Sequence, residues 1–277
     1  MKIINLIENT EGENMCKSAH GLSFYIETEK HKLLLDLGPS EETIQNANTL
    51  GIDLSMVDTV ILSHGHYDHS GGIIPFSKIN DKALIYMQKS AMDDYYADDG
   101  VGAPERYRYI GIDKAIGDLP QTRLISGGMK IDDELEVFTI KARSHKLPFT
   151  NKRLLIKTGN GFQSDDFCHE HFLVIHSDGK SVLMSGCAHN GILSILDEYL
   201  CIFGEVPDMV ISGFHLMKKT DYRDDEIREI KEIAEELKKF PTRFFTCHCT
   251  GVAAFDIMKE ILGDSLDYVH SGEEIRI

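Results

Sequence analysis

The amino-acid sequence predicts an α/β fold, and three observations carry that prediction. Short β-branched runs recur along the chain, and several are followed by segments with helical periodicity. The first forty residues and the stretch 172–184 read instead as strands joined by tight polar turns. Histidines stand just past one strand end after another, so that they could converge on one edge.

Taken in order, Ile3 to Ile7, Leu22 to Thr28 and Lys32 to Asp36 are predicted strands, the last two separated by Glu29-Lys30-His31. Thr43 to Leu50 is predicted helical and is stopped by Gly51. Thr59-Val60-Ile61-Leu62 fits a buried strand that delivers the chain into His64. Ala83 to Met87 and Leu135 to Ile140 are further strands. Asp93 to Tyr109, rich in Asp, Tyr, Gly and Arg, has no clear period and is expected to be a long loop over the active site. Phe172 to His176 and Ser181 to Met184 bracket the turn Ser177-Asp178-Gly179-Lys180, and the hairpin ends at Ser185-Gly186-Cys187-Ala188-His189. Met209-Val210-Ile211 leads to Gly213-Phe214-His215-Leu216. The helix that follows, Arg223 to Phe240, sets Ile227, Ile230, Ile233, Ala234 and Leu237 on one stripe, with acids at its start and Lys238 and Lys239 at its end. Arg243 to Thr246 then runs into Cys247-His248-Cys249-Thr250-Gly251, a helix to Leu262, and a last strand near Glu274 to Ile277.

Nothing like a Pro-, Ser- or Gly-rich linker divides the 277 residues, so one domain spanning 1–277 is expected. The chain has no apolar run long enough for a membrane span and no secretory signal, which points to a soluble, cytoplasmic protein with no membrane partner. Six scattered cysteines read as free thiols or site residues. A formal net charge of -16 disfavours nucleic acid as a partner, because binding phosphate backbones depends on Lys and Arg. A small anionic substrate would be held by metal and backbone donors. His31, His145 and His176 suit the plain reading of solvated or core-satisfied histidines.

The chemistry is concentrated in residues 64 to 72, HGHYDHSGG, where three imidazoles and a carboxylate fall within six positions after a strand. Imidazole and carboxylate together are the donor set for zinc and related divalent ions. His64 and His66 can converge in an extended segment, while Asp68 and His69 can turn toward a second ion roughly 4 Å away. A polar loop with chance histidines would not need this spacing.

This pattern resembles the signature H-x-H-x-D-H of the metallo-β-lactamase superfamily, and the resemblance spans nearly the whole chain. KLLLDLG at Lys32 to Gly38 looks like that superfamily's early strand ending in Asp, here Asp36. Ala19-His20-Gly21-Leu22-Ser23, SGCAHNGI from Ser185, GFHL from Gly213 and CHCTG from Cys247 are similar to its dihydropteroate-synthase-like branch, which includes archaeal methanopterin-synthesis enzymes. The resemblance implies a four-layer αββα sandwich with two divalent metal ions at one sheet edge, zinc first, manganese or iron as alternatives. It implies His64, His66, Asp68, His69 and His248 as ligands. The superfamily's bridging Asp is missing: Gly186 is followed by Cys187 and then, two residues on, by His189. His189 is the expected ligand there, with Cys187 as a nearby thiol.

Asp68 and His215 are the candidate catalytic groups, and His20, Cys187, His215, Thr250 and Gly251 the candidate substrate contacts. Asp36 is expected to orient a ligand histidine. Glu170 and His171 precede a strand and could approach the site, with a charged strand start as the preferred reading. Thr250 and Gly251 open a helix whose free N–H groups could hold a substrate phosphate or carboxylate in place of a basic cluster, or Thr250 could be a simple N-cap. The expected reaction is hydrolysis of an ester, amide or phosphoester by metal-activated water. The alternatives are a transferase joining a dihydropterin pyrophosphate to a ribofuranosylaminobenzene phosphate-like acceptor, and a non-catalytic metal-binding protein. A redox role is disfavoured because His66 stands where the superfamily's diiron members carry Glu.

Overall fold

In each half of the chain the strands alternate their side chains between two apolar layers, and this alternation builds the architecture. In the first half Phe24, Ile26, Leu33, Leu35 and Ile61 face one way, while Tyr25, Leu34, Val60 and Leu62 face the other. In the second half Leu173, Ile175, Val182, Met184 and Ile211 share the first layer, whereas Val174, Leu183, Val210 and Phe244 enter a third. Two sheets therefore pack face to face over a common core, and helices cover each outer face. The computed structural model describes residues 1–177 and 179–275 and shows this αββα arrangement.

The first seven-stranded sheet runs Glu274–Ile275, Lys2–Ile7, Ser23–Glu27, Lys32–Leu35, Thr59–Ile61, Leu84–Gln88, Thr122–Ile125. The second runs Leu266–Tyr268, Arg243–Thr246, Met209–Ser212, Lys180–Ser185, Phe172–Ser177, Leu135–Phe138, Met129–Lys130. Each combines antiparallel pairs with a run of parallel ones, at the far end of the first sheet and the near end of the second as given. Lys32–Leu35 pairs in parallel with Thr59–Ile61, and Lys180–Ser185 pairs in parallel with Met209–Ser212, which pairs in parallel with Arg243–Thr246. Parallel strands end on the same side. The residues that follow those ends are Asp36, His64, Cys187, His215 and His248, and a site outside the carboxyl ends of strands is the geometry such sheets favour.

On the second sheet's outer face lie Ile192–Phe203, Asp224–Leu237 and Val252–Leu262. The helix expected over Arg223 to Phe240 is present, with Glu226 accepting from the Arg223 N–H at 2.8 Å. Ile192–Phe203 was not legible as a helix, because its apolar residues spread beyond one stripe. No helix among the described residues is long and apolar enough to cross a membrane. The turn residue Asp178 and the last two predicted strand residues, Arg276 and Ile277, lie outside the described residues.

One expectation is overturned. The segment 93–109 is not an irregular loop: Tyr95–Asp98 and Tyr107–Tyr109 form a four-stranded antiparallel sheet with Leu154–Thr158 and Gly161–Ser164. Its small core of Tyr95, Ala97, Ile110, Leu154 and Phe167 closes it against the rest of the molecule. Tyr95–Asp98 and Tyr107–Tyr109 form one hairpin, but the hairpin that completes the sheet begins only at Leu154, so no local period announces it.

Candidate metal centre

The HGHYDHSGG segment leaves Thr59–Ile61 extended, then turns into the short helix Tyr67–Ser70, with His66 at its N-cap. Gly71 and Gly72 let this turn sit against the loop after Lys32–Leu35: a Cβ at Gly71 would lie 1.9 Å from the Pro39 carbonyl oxygen, and one at Gly72 would lie 2.2 Å from that of Leu37. The close approach carries His69 onto Asp36.

Four imidazoles are then held by the same device. Asp36 accepts from the Ser63 N–H and hydroxyl, each at 2.7 Å, and from His69 Nδ1 at 2.6 Å. With the Ser63 hydroxyl proton spent on Asp36, His64 Nδ1 donates to the Ser63 oxygen at 2.9 Å. Asn151 donates its amide to the His189 carbonyl at 2.7 Å, which turns its Oδ1 to accept from His189 Nδ1 at 3.1 Å. Asn9 likewise donates to the His248 carbonyl and accepts from His248 Nδ1 at 2.8 Å. Each ring has its Nδ1 proton committed to the protein, so each Nε2 is a free donor pair.

Those nitrogens converge. His64 Nε2 and His189 Nε2 are 3.3 Å apart, and His69 Nε2 lies 3.3 Å from Cys187 Sγ. Asp68 Oδ2 stands 3.5 Å from His248 Nε2 and 3.7 Å from His69 Nε2. His66 Nε2, His248 Nε2 and His215 Nδ1 are buried without a hydrogen-bond partner among the described residues, and all three rings border one cavity. Orphaned imidazole nitrogens that face one another are repulsive unless a cation lies between them. The donor set fits divalent metal ions. The donor atoms of His64, His66 and His189, of His64, His69 and Cys187, and of His20, Asp68 and His248 each gather within 4.8 Å. Burial and the neighbouring imidazoles hold His64 and His189 well below the usual histidine range, and His66 is pushed down to about 3. Burial opposes charge on His69, but Asp36 and Asp68 outweigh it and raise that ring to about 9, so without an ion its Nε2 keeps a proton that a metal would displace.

His20, 54 % exposed at its side chain, reaches Asp68 from the solvent side at 3.5 Å. His215 lies against His189, ring centroids 4.1 Å apart, and lines the cavity with Cys187. Thr250 and Gly251 are placed differently from expectation. The Thr250 hydroxyl is fully buried, accepting from the Phe214 N–H at 2.7 Å and paired with Thr246 Oγ1, so it turns away from the cavity. The N-cap of Val252–Leu262 is Gly251 with φ 72°, and a Cβ there would meet the Met217 side chain, so the turn itself requires its glycine. Cys247 enters the core between the sheets while Cys249 approaches the cavity, because the strand ends at Thr246 and the chain turns through left-handed His248 between them.

Several residues that build the site were missed. Glu170, read as a strand start, is buried and accepts from the His189 and Asn190 N–H groups at 2.8 and 2.9 Å; burial raises its pKa against those donors. His169 accepts from the Gly65 N–H at 2.9 Å and donates to buried Asp165 at 3.0 Å, bracing the loop between His64 and His66. A carboxylate and two histidines opening an apolar strand were the available signal. The backbone is also unusual here: Asp36, Phe167, Ala188, His215 and His248, the non-glycine residues with positive φ (49–61°) among those described, all border the centre.

Fold and donors together define an αββα protein with a cluster of potential metal donors at the strand ends. The chain belongs to the metallo-beta-lactamase superfamily, whose family model matches residues 19–224. It is 29% identical over 297 residues, covering 100% of this chain and 96% of the other, to the 7,8-dihydropterin-6-methyl-4-(beta-D-ribofuranosyl)-aminobenzene-5'-phosphate synthase of Methanocaldococcus jannaschii. It is 28% identical over 279 residues to an uncharacterized protein of the same organism, covering 98% of each chain. A crystal structure described as a metal-dependent hydrolase of the beta-lactamase superfamily superposes with a TM-score of 0.81 at 28% identity, over 100% of this chain and 99% of that one. Zn(2+)-bound PqqB from Methylobacterium extorquens shares the fold at a TM-score of 0.58 and 12% identity, each chain fully covered.

Proposed function

We propose that the chain is a metal-dependent hydrolase acting on an ester, amide or phosphoester of a small molecule. The observation that supports this most is the set of free Nε2 atoms facing a cavity of about 140 Å³ that opens to solvent beside His20 and Tyr67. His64, His66 and His189 would hold one ion, and Asp68, His69 and His248 a second, with zinc, manganese and iron all compatible with these donors. Bound there, the ions would supply a water acidified toward pH 7 and polarise the electrophilic centre. The chain's own residues fix the rings through Asp36, Asn9 and Asn151. His215 presents an unpartnered Nδ1 to the cavity, where it can pass a proton to a leaving group.

A second reading, transfer of a dihydropterin from its pyrophosphate to a ribofuranosylaminobenzene phosphate-like acceptor, draws on the end-to-end match to a relative named as a synthase. The test is a panel of nitrophenyl esters, anilides and phosphodiesters given to metal-reconstituted protein. Hydrolysis should appear and be abolished in His66→Ala, which should also lose about one ion per chain by elemental analysis. Full metal occupancy in that variant would remove the ligand assignment. Inertness toward the whole panel, with product formed from the pterin pair, would replace hydrolysis by transfer.

A further inference from the structure

We propose that the wide groove outside the metal centre is a binding site for a phosphoryl group of the substrate, built on Arg108 and Arg153. This rests on the metal centre being the reaction site and identifies what holds the far end of the molecule. The groove, about 1040 Å³, continues from the inner cavity, sharing His20, Tyr67, Arg108, Thr150, Arg153 and Met217 with it. Its lining carries five cations, Arg108, Lys152, Arg153, Lys218 and Lys219, against three acids, in a chain whose net charge is -16. A local excess of positive charge at the mouth of a site, on an otherwise acidic molecule, focuses an anion there.

The cations are organised. Arg108 comes from Tyr107–Tyr109 and Arg153 from the turn before Leu154–Thr158, so the small third sheet exists at the place where it brings both to the mouth. Both guanidinium groups are bound by one carboxylate, Asp99: Arg108 Nε donates to Oδ2 at 2.8 Å and Arg153 Nη2 to Oδ1. One carboxylate cannot occupy two guanidinium forks, so N–H groups remain for a bidentate oxyanion. Lys219 and Lys152 make no ion pair among the described residues, whereas Lys218 is held by Glu226. Tyr67, Phe149 and Met217 give the groove an apolar wall, which suits an organic phosphate over the free ion. The anion is thus held by a basic cluster and not by the helix after His248, reversing the expectation drawn from the sequence.

The experiment is calorimetric titration of inorganic phosphate and pyrophosphate into metal-loaded protein, with metal content measured for every variant. Arg108→Gln and Arg153→Gln should each weaken pyrophosphate about tenfold, and Lys219→Gln, which disturbs no pairing, a few-fold. Asp99→Asn should change affinity in the opposite direction, tightening it several-fold by freeing both arginines. Unchanged affinity in the Arg108→Gln/Arg153→Gln double variant with metals retained would place the anion on the metals and overturn the proposal, leaving the hydrolase reading intact. Weakened anion binding in a protein that hydrolyses nothing would do the reverse.

Discussion

Cys187 and His189 both reach the centre from the turn that follows Lys180–Ser185. His189 aims Nε2 at His64, while Cys187 Sγ lies at His69 Nε2 and within 4.8 Å of donor atoms from His64, His215, His248 and Cys249. His189→Ala is therefore expected to lose about one ion per chain. Cys187→Ser should keep its ions but abolish the thiolate-to-metal charge-transfer absorption of cobalt-substituted protein. Absence of that band in the wild type would remove Cys187 from coordination. The sequence made His64, His66, Asp68 and His69 legible because their spacing is local, and His248 because it follows a strand. It could not separate Cys187 from His189, since which side chain turns inward depends on the left-handed residue Ala188 between them. Asn9, Asn151, Glu170 and His169 were illegible for a related reason: each acts through a hydrogen bond to a residue far along the chain.

At the scale of elements, strands with apolar alternation were readable and the Tyr-rich third sheet was not, because its short, half-exposed hairpins lack that alternation and are joined by one long-range pairing. The turn Glu29-Lys30-His31 also does more than reverse the chain. His31 Nδ1 lies 2.7 Å from Asp58 Oδ1 and Nε2 lies 2.5 Å from Asp132 Oδ2, tying the end of the first sheet to the second. Burial disfavours the charged ring, but hydrogen bonds to both carboxylates outweigh it and raise its pKa. A histidine raised on folding stabilises fully below its unfolded value of about 6.5 and loses that contribution as pH climbs through the folded value. His31→Ala should therefore cost about 1–2 kcal/mol in urea unfolding at pH 6 and much less at pH 9. Equal losses at both pH values would mean that the ring acts by packing alone.

For the molecule as a whole, the candidate metal donors come from both halves, from His64 to His248, so ion binding would be coupled to closure of the sandwich. Chelation should lower the melting temperature by about 5–10 °C, the shift that roughly 3 kcal/mol of ligand stabilisation produces in a protein of this size. Readdition of zinc should restore it; an unchanged transition would show that the centre is formed without ions. The αββα plan was legible through the family resemblance carried by HGHYDHSGG, whereas the hairpins and strand-to-helix passages by themselves indicated only an α/β fold. The left-handed backbone at Asp36, Phe167, Ala188, His215 and His248 carries a consequence for how such a chain can change over time. Each position costs on the order of 1 kcal/mol that glycine would relieve. Selection for robustness alone would drift these sites toward glycine, and at Asp36, His215 and His248 every such step would erase a side chain that the centre uses. Phe167 carries no donor, but its buried ring fills the core of the third sheet and stacks on His189. Among these five positions Ala188 alone can accept the exchange without losing a donor or a large buried side chain, so stability can be gained there without trading away function.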